Sequence, residues 1–333
     1  MKMIMKKKYL IFAAAALTLA ACSNGENMEM TDGPVAARIT AGVSSPTTRA
    51  IGTNWSGTEE IGVFVTNSTS GMDNLYKNIK YQITNSGATG NFTAADEDIY
   101  FQDATETVTF AAYAPYQESS APDEFPGGLA DGVVDVKTDN MNTATDQEKI
   151  DFLFASGAVA SRRDNTVSFA DATPETPNDD DDHSFHHKMA QLNVVFQVST
   201  NDGFAANQIF DGTFNLGGLV HDGTFNVTDG KTALTGEPLN SWDISGCKHT
   251  DAPTTRTYSL ILLPQELSSN PLDVAITING QTYRNNTTIN QDLEPGNSYT
   301  YTITVRKSGL VVSGCTITGW KDNNNAGSGD AKM

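Results

Sequence analysis

The chain is poor in cysteine, histidine, tryptophan and positive charge. Its 333 residues include three cysteines, five histidines and three tryptophans, and 21 Lys and Arg stand against 40 Asp and Glu, for a formal net charge of -19. So few cysteines exclude a densely disulfide-bonded scaffold. Because a strongly acidic surface repels phosphate backbones and anionic headgroups, we expect no nucleic-acid partner and no electrostatic attachment to a membrane.

Patterns typical of catalysis are also missing. No serine, histidine and acid lie at the spacing of a nucleophile elbow, and no glycine-rich loop leads into a helix. His183, His186 and His187 lie beside an aspartate run and could be drawn as a metal site, since imidazole binds zinc, copper and nickel. Adjacent residues of a strand point to opposite faces, so we favour a linker with one packed histidine over a metal site. We expect neither enzyme activity nor a cofactor.

Long apolar runs are scarce, and the one at the N-terminus, Tyr9 to Ala21, is too short to cross a bilayer as a stable helix. It follows four lysines and ends in Leu19-Ala20-Ala21-Cys22, the pattern of a lipoprotein processing box. We therefore predict a signal peptide over residues 1–21, and an exported lipoprotein held to the outer membrane through lipid on Cys22. Each buried methylene of such a lipid contributes roughly 0.8 kcal/mol. An ordinary secretory signal with an incidental cysteine is the alternative.

Alternation of apolar and polar residues with period 2 is what the chain has in abundance, and apolar stripes with a period of 3.6 residues are nearly absent. Each alternating run predicts a strand with one face on a core. The clearest runs carry Val108, Phe110 and Ala112; Leu192, Val194, Phe196 and Val198; Val274, Ile276 and Ile278; and Tyr299, Tyr301, Ile303 and Val305. The run Tyr258 to Leu263 predicts a strand buried on both sides. The fold class is therefore predicted to be all-β.

Turn signals separate these runs at the spacing typical of β-sandwiches, as at Asn279-Gly280 and Pro295-Gly296. The pentapeptide at 211–215 recurs at 222–226, which we interpret as two successive entries into neighbouring strands of one meander. The segment Ala170 to His183 has two prolines, four successive aspartates and few apolar groups, so it is predicted to be a linker. We accordingly predict domains over residues 51–175 and 176–333.

A short strand is predicted ahead of the first domain, within a pro-segment of residues 22–50. Four apolar residues, Ala37, Ile39, Ala41 and Val43, alternate there with Arg38, Thr40 and Gly42. The following segment, Ser44 to Ala50, has small and hydroxylated residues around Arg49, which suits an exposed loop open to a trypsin-like protease. A strand that can be cut away from its own domain suggests that its removal has a purpose.

The cysteines and tryptophans leave alternatives open. Cys247 and Cys315 are either bridged by a disulfide, which an exported chain permits, or remain two free thiols. The chain's tryptophans, Trp55, Trp242 and Trp320, are candidate stacking platforms for a glycan, although an isolated tryptophan is more often part of a core.

Taken in order along the chain, several short segments resemble the fimbrillin family, the Mfa-like lipoprotein subunits of type V pili in Bacteroides-type bacteria. The segments are the lipobox at Cys22, Thr47-Thr48-Arg49-Ala50, Gly52-Thr53-Asn54-Trp55, Ile61-Gly62-Val63-Phe64, Asp151-Phe152-Leu153-Phe154-Ala155, Phe185-His186-His187-Lys188-Met189-Ala190-Gln191-Leu192, Tyr299 to Val305, and Ile317-Thr318-Gly319-Trp320. The similarity spans nearly the whole chain.

The resemblance implies two transthyretin-like β-sandwich domains in tandem and assembly by donor-strand exchange. An arginine-specific surface protease would cut between Arg49 and Ala50 and release the lipid with the first strand, and the C-terminal strand of another fimbrial subunit would fill the groove. The donor strand in this chain would include Leu310, Val311, Val312, Ser313, Cys315 and Ile317, with Val311, Ser313, Cys315 and Ile317 on one face. The implied function is a fimbrial shaft subunit. A tip or anchor subunit, or a surface glycan-binding lipoprotein, is the alternative.

Overall fold

Strands make up almost every regular element of the computed structural model, which describes residues 33–43, 54–118, 132–170 and 182–320. The described strands fall into four sheets of eight, six, four and three strands. The all-β prediction is therefore confirmed. The described residues from Pro34 to Trp320 fall in one compact unit.

The largest sheet is built from the first half of the chain, in the spatial order β8-β1-β4-β3-β2-β5-β7-β9. Its strands are β1 (Arg38–Gly42), β2 (Glu60–Asn67), β3 (Ile79–Ile83), β4 (Thr89–Ala94), β5 (Thr107–Ala114), β7 (Leu153–Ser161), β8 (Thr166–Phe169) and β9 (His186–His187). Most of its pairs are antiparallel, but β1 runs parallel to β8. The buried residues on its inner face form one apolar core, which we call the first core.

The second half of the chain forms the six-stranded and four-stranded sheets, which enclose a second core. The six-stranded sheet contains β10 (Ala190–Val198), β15 (His249–Ala252), β16 (Thr255–Leu262), β19 (Asn297–Arg306), β20 (Gly309–Val312) and β21 (Thr316–Gly319). The four-stranded sheet contains β11 (Thr213–Gly217), β14 (Trp242–Asp243), β17 (Asp273–Ile278) and β18 (Gln281–Arg284).

The three-stranded sheet joins residues from both halves of the chain. It contains β6 (Val133–Lys137), β12 (Asp222–Asn226) and β13 (Thr232–Leu234), in the order β13-β12-β6. Aromatic and aliphatic residues around it, such as Phe152, Phe225 and Trp320, form a third core. The domain boundary at residue 175 lies outside the described residues, so the division into two domains stays a prediction, and β6 and β12 pair across that division.

Helical structure in the described ranges is short. It consists of one α-helix, α1 (Met72–Leu75), and 3-10 helices at Gln147–Ile150, Thr200–Asp202 and Ala206–Asp211. No helix in the part of the chain that the structure describes is long and apolar enough to cross a membrane.

The predicted alternation builds the second core. The parallel central strands β10 and β19 pair in register, with Leu192 opposite Tyr299 and Val194 opposite Tyr301. Every second residue of both strands is buried in this core. Along β16 and the residue after it, Leu260 and Leu262 lie in the second core whereas Ile261 and Leu263 lie in the third, so the prediction of a strand buried on both sides is confirmed.

The turn at Asn279-Gly280 also lies where the sequence predicts it. Asn279 and Gly280 have φ values of 52° and 77° and connect the antiparallel strands β17 and β18. Two consecutive residues with positive φ form the tight turn whose twist suits a hairpin, which explains the Asn-Gly pair.

The interpretation of the repeated pentapeptide is wrong. Its first copy leads into β11 of the four-stranded sheet, whereas its second copy is β12 of the three-stranded sheet. The two copies therefore enter different sheets and do not form a meander. Local sequence sets a turn and a strand entry, but the long-range partners decide which sheet the strand joins.

A buried asparagine in the chain after β6 extends the hydrogen bonding of β16. Strand β15 pairs with β16 only as far as His249 opposite Tyr258. Further along β16, the Asn142 amide donates to the Ile261 carbonyl at 2.8 Å and its oxygen accepts from the Ile261 N–H at 2.7 Å. The same side chain also donates to the Thr138 carbonyl and accepts from Gln147. It therefore satisfies main-chain groups that would otherwise be buried without partners.

Replacing this side chain tests how much it stabilises the fold. Asn142→Ala leaves the N–H and carbonyl of Ile261 without partners, at roughly 1 to 3 kcal/mol for each buried group. We expect the free energy of unfolding in urea to fall by about 2 to 4 kcal/mol. Asn140→Ala, at an exposed position two residues away, is the matched control. Equal unfolding midpoints for the two variants would contradict this account of β16.

Candidate functional site

The first strand is an internal member of the largest sheet. β1 lies between β4, to which it is antiparallel, and β8, to which it is parallel. Ile39 is opposite Phe92 on one side and Val167 on the other. Without β1, both β4 and β8 would present unpaired edges.

The apolar face of β1 lies in the first core. Ala37, Ile39 and Ala41 are only 6%, 2% and 1% exposed. Val35 and Val43 are partly buried and pack against the same core at the two ends of the strand. The pocket under this strand is therefore shaped for a small, a large and a small side chain in succession.

Hydrogen bonds beyond the two ladders hold the main chain of β1. Ala37 donates to the Ile99 carbonyl and Arg38 to the Asn165 carbonyl, each at 2.8 Å. Asn165 also donates from its side chain to the Ala36 carbonyl at 2.6 Å, and the Gly42 carbonyl accepts from the N–H of Phe185 at 2.9 Å. All of these bonds use main-chain atoms of β1, so they do not depend on its side chains.

Trp55 is the side chain that the sequence analysis did not connect with β1. Its indole N–H donates to the Ala41 carbonyl at 2.9 Å, and its ring packs edge-on against Phe92 and Phe185 at 5.2 and 5.4 Å. Trp55, Trp242 and Trp320 are all buried. Their interpretation as exposed stacking platforms for a glycan is wrong, because their rings fill cores. The signal that could have found this role is a tryptophan shortly after a cleavable segment.

The proposed processing residues lie outside the described part of the chain. Cys22, Arg49 and Ala50 all belong to ranges that the structure does not describe. Val43, at the end of the described range that contains β1, forms a parallel bridge with Phe185. Lipidation of Cys22 and cleavage after Arg49 stay predictions.

The C-terminal segment forms the edge of the six-stranded sheet. β20 and β21 both pair antiparallel with β19, at its second and first half respectively. Val312 is opposite Ile303 and Thr316 is opposite Thr300, so three residues between them face two on β19. That arrangement is a β-bulge.

The bulge changes which residues share a face. Strict alternation placed Val311 and Ser313 with Cys315 and Ile317, but the register shift puts Cys315 and Ile317 in line with Leu310 and Val312 instead. In the chain's own sheet these four residues therefore do not share a face, because an extra residue next to Gly314 reverses the alternation. Their common face in a donor strand stays a prediction. Leu310 is buried, Val312 and Cys315 pack partly against the second core, and Val311 and Ile317 are 43% and 38% exposed.

The Trp320 side chain packs the end of this segment into the third core. Its ring is 1% exposed and stacks on His187 with centroids 4.4 Å apart and planes at 8°. His187 is held by Asp151, whose carboxylate lies 2.7 Å from the imidazole Nδ1. The Trp320 indole N–H is buried and has no hydrogen-bond partner among the described residues.

The three histidines of the candidate metal site make separate contacts. His187 packs on Trp320, whereas His186 lies 3.1 Å from a carboxylate oxygen of Asp182. The ring of His183 lies next to Gly157, whose φ is positive. Across the described ranges, no group of three or more His, Cys, Asp or Glu side chains is arranged to hold a metal ion.

Cys247 and Cys315 are both free thiols. Burial raises the pKa of the Cys247 thiol to about 12 and also raises the pKa of Cys315. Both groups therefore remain protonated at neutral pH and act as small apolar side chains. Of the two alternatives left open by the sequence, the structure has the unbridged one.

The contribution of the apolar face of β1 can be measured directly. Ile39→Ala removes a buried side chain from a closed core, and we expect it to lower the free energy of unfolding by about 2 to 5 kcal/mol. Thr40→Ala, on the opposite face of the same strand, should cost less than about 1 kcal/mol. Urea unfolding with an unchanged slope is the measurement. Equal losses for both variants would mean that the apolar face does not hold β1.

Comparison with known families gives one match that covers most of the chain. The sequence model of the family described as "Fimbrillin-like" matches residues 48–320. The match begins beside Arg49 and ends at Trp320.

Individual relatives are similar over nearly their full length. A protein described as "Putative fimbrium subunit Fim1C" from Bacteroides uniformis is 28% identical over 337 residues, which cover 97% of this chain and 98% of the relative. Crystal structures described as a "putative cell adhesion protein" come from Bacteroides uniformis and Bacteroides ovatus, and each is 24% identical to this chain. Their TM-scores are 0.63 and 0.66, over 87% and 88% of this chain and 99% and 100% of theirs, which supports the same overall fold.

Proposed function

The chain belongs to the fimbrillin-like family, and from that premise we propose that it is a structural shaft subunit of a type V surface fimbria. In this proposal it is exported as a lipoprotein, matured by cleavage after Arg49 and polymerised by donor-strand exchange. Its partners are other fimbrial subunits, an arginine-specific surface protease and, before maturation, the outer membrane. The role is mechanical and needs neither catalysis nor a cofactor.

The observation that carries the proposal is the position of β1. It precedes every other described strand in the chain, yet it lies inside a sheet with a partner on each side. One cut between β1 and β2 therefore separates it from the rest of the fold without threading the chain through a loop. A strand with other strands both before and after it in the chain could be released only by two cuts.

The cleavage step itself is ordinary hydrolysis. Water adds across the Arg49–Ala50 peptide bond, leaving a carboxylate on Arg49 and a new amine on Ala50. Because Cys22 lies on the same side of this bond as β1, the single cut breaks the covalent link from the remaining chain to both the lipid and the first strand. Release from the membrane and opening of the groove would then both follow from the departure of β1.

The energetics favour refilling an open groove. β1 pairs with four residues of β4 and four of β8, and each hydrogen bond contributes roughly 0.5 to 1.5 kcal/mol. Burial of a side chain the size of Ile39 contributes roughly 1.5 to 3 kcal/mol more. A strand from another subunit would recover most of this free energy. Before cleavage, the covalently attached β1 occupies the groove at high effective concentration, so it blocks assembly.

The C-terminal edge supports a shaft position. A shaft subunit must offer a donor strand as well as accept one, and β20 and β21 lie at a sheet edge near the end of the chain with Val311 and Ile317 partly exposed. An edge strand can leave by breaking one ladder, whereas an internal strand must break two. The chain therefore carries both halves of the exchange.

Arg49→Ala tests the proposed function. Because the pro-segment cannot then be removed, we expect the variant to remain a monomer that is extracted with the membrane, while the unaltered chain forms sheared fimbriae and ladders that survive mild denaturant. Gel electrophoresis without boiling and electron microscopy of cells are the measurements. Arg306→Ala, which changes an exposed arginine far along the chain, is the matched control. Normal polymers from the Arg49 variant would refute the proposal.

A further inference from the structure

We propose that the groove vacated by β1 takes the C-terminal segment of a second copy of this chain in one defined register. In that register, Cys315, Ile317 and Gly319 occupy the positions of Ala37, Ile39 and Ala41. The inference rests on the proposed function and adds to it the residues that determine the fit. The incoming strand then runs in the direction of β1, antiparallel to β4 and parallel to β8.

The apolar pattern of the two segments is the first observation. Between the partly buried Val35 and Val43, the first strand presents a small, a large and a small side chain to the first core, with isoleucine in the middle. In the stretch Leu310 to Trp320, one set of alternate residues has the same order, Cys315-Ile317-Gly319. The central isoleucine is followed by threonine in both segments, in Ile39-Thr40 and Ile317-Thr318. The sequences therefore agree at the central buried position and at the next.

The outward positions are compatible with this register. Thr316 would replace the exposed Arg38, and Thr318 would replace Thr40. Trp320 would stand where Gly42 is. A Cβ at Gly42 would meet only the Ala88 carbonyl oxygen, at 3.6 Å, which is an ordinary van der Waals contact. A residue with a side chain can therefore be accommodated at this position without movement of the main chain.

The main-chain contacts of the groove would all be available to the new strand. The Trp55 indole would donate to the Gly319 carbonyl, as it does to the Ala41 carbonyl. The Asn165 side chain would donate to the Gly314 carbonyl in place of that of Ala36. Because these bonds are made to main-chain atoms, a strand of different sequence can form them too.

The change in environment favours transfer of β21. In its own sheet, β21 pairs with β19 alone among the described strands, and Ile317 is 38% exposed. In the groove it would have a ladder on each side, and its isoleucine would take a position that is 2% exposed in the closed chain. The transfer thus adds main-chain hydrogen bonds and buries apolar surface.

Trp320 supplies the opposing contribution. Leaving the third core breaks its stack on His187. Its indole N–H has no partner among the described residues while it is buried, however, and an unsatisfied buried donor costs roughly 1 to 3 kcal/mol. Reaching water or a new acceptor removes that cost. Loss of the buried ring from the third core still opposes the transfer, so the satisfied N–H offsets only part of the cost of moving Trp320.

A second register has the same order of side-chain sizes, because Gly309, Val311 and Ser313 are also small, large and small. That register would place the Ser313 hydroxyl at the deeply buried position of Ala41. It would also require β20 to leave both β19 and its bridge between Asn285 and Leu310, with loss of the buried Leu310 side chain. The register centred on Ile317 needs neither change.

Cross-linking distinguishes the two registers. The acceptor is the chain cut after Arg49 and carrying Asn91→Cys, since Asn91 is the Cα partner of Thr40. The donor carries Arg49→Ala, so that its own groove stays closed, and Thr318→Cys. Both proteins have Cys22, Cys247 and Cys315 replaced by alanine. Under mild oxidation we expect a disulfide-linked dimer, because the two Cα atoms lie within the roughly 7 Å that a disulfide spans.

A second donor variant, with its cysteine at another position, distinguishes the two registers. Val312→Cys replaces Thr318→Cys in the control donor, because Val312 would reach the Thr40 position in the second register. In the proposed register it lies six residues from there, about 20 Å along the strand. Preferential cross-linking through Val312, or non-covalent complexes with no cross-link through Thr318, would overturn the proposed register while leaving strand exchange intact. Absence of any complex with the cut acceptor would overturn the proposed function, and the register with it.

Discussion

The two-sided pairing of β1 with β4 and β8 is the constraint on which the first half of the structure depends. The strand completes the sheet, its apolar face closes the first core, and Trp55, Asn165 and Phe185 are positioned by its main chain. Such a strand contributes to stability out of proportion to its length, because two ladders and one core end on it at once. It is also attached to the rest of the fold by a single connection.

The sequence predicted the elements better than it predicted their long-range relations. Alternation in β10, β17 and β19 and the Asn279-Gly280 turn are local properties, and the structure confirms them. The repeated pentapeptide failed because sheet membership is decided by partners far along the chain. Within its own sheet the C-terminal segment departs from strict alternation, because one extra residue near Gly314 reverses every side chain after it.

The candidate site could be predicted only in part, because its strand partners also lie far apart in the sequence. The apolar alternation of β1 indicated a strand with one buried face, but no pattern could show that it would lie between two strands rather than at an edge. For the tryptophans the sequence left a glycan platform and a core position open, and Trp55 and Trp320 lie in the first and third cores. Their burial follows from aromatic neighbours, Phe185 for one and His187 for the other, that are distant in sequence.

The bond from Trp55 to the Ala41 carbonyl has a consequence for the composition of a filament. A main-chain oxygen is the same in every polypeptide, so this donor cannot tell one guest sequence from another. Discrimination is left to side-chain volume along the core-facing row, where two small residues flank a larger one. Under the proposed strand exchange, a groove that selects by side-chain volume would accept any strand with that profile, so copolymers of related subunits would form as readily as a homopolymer.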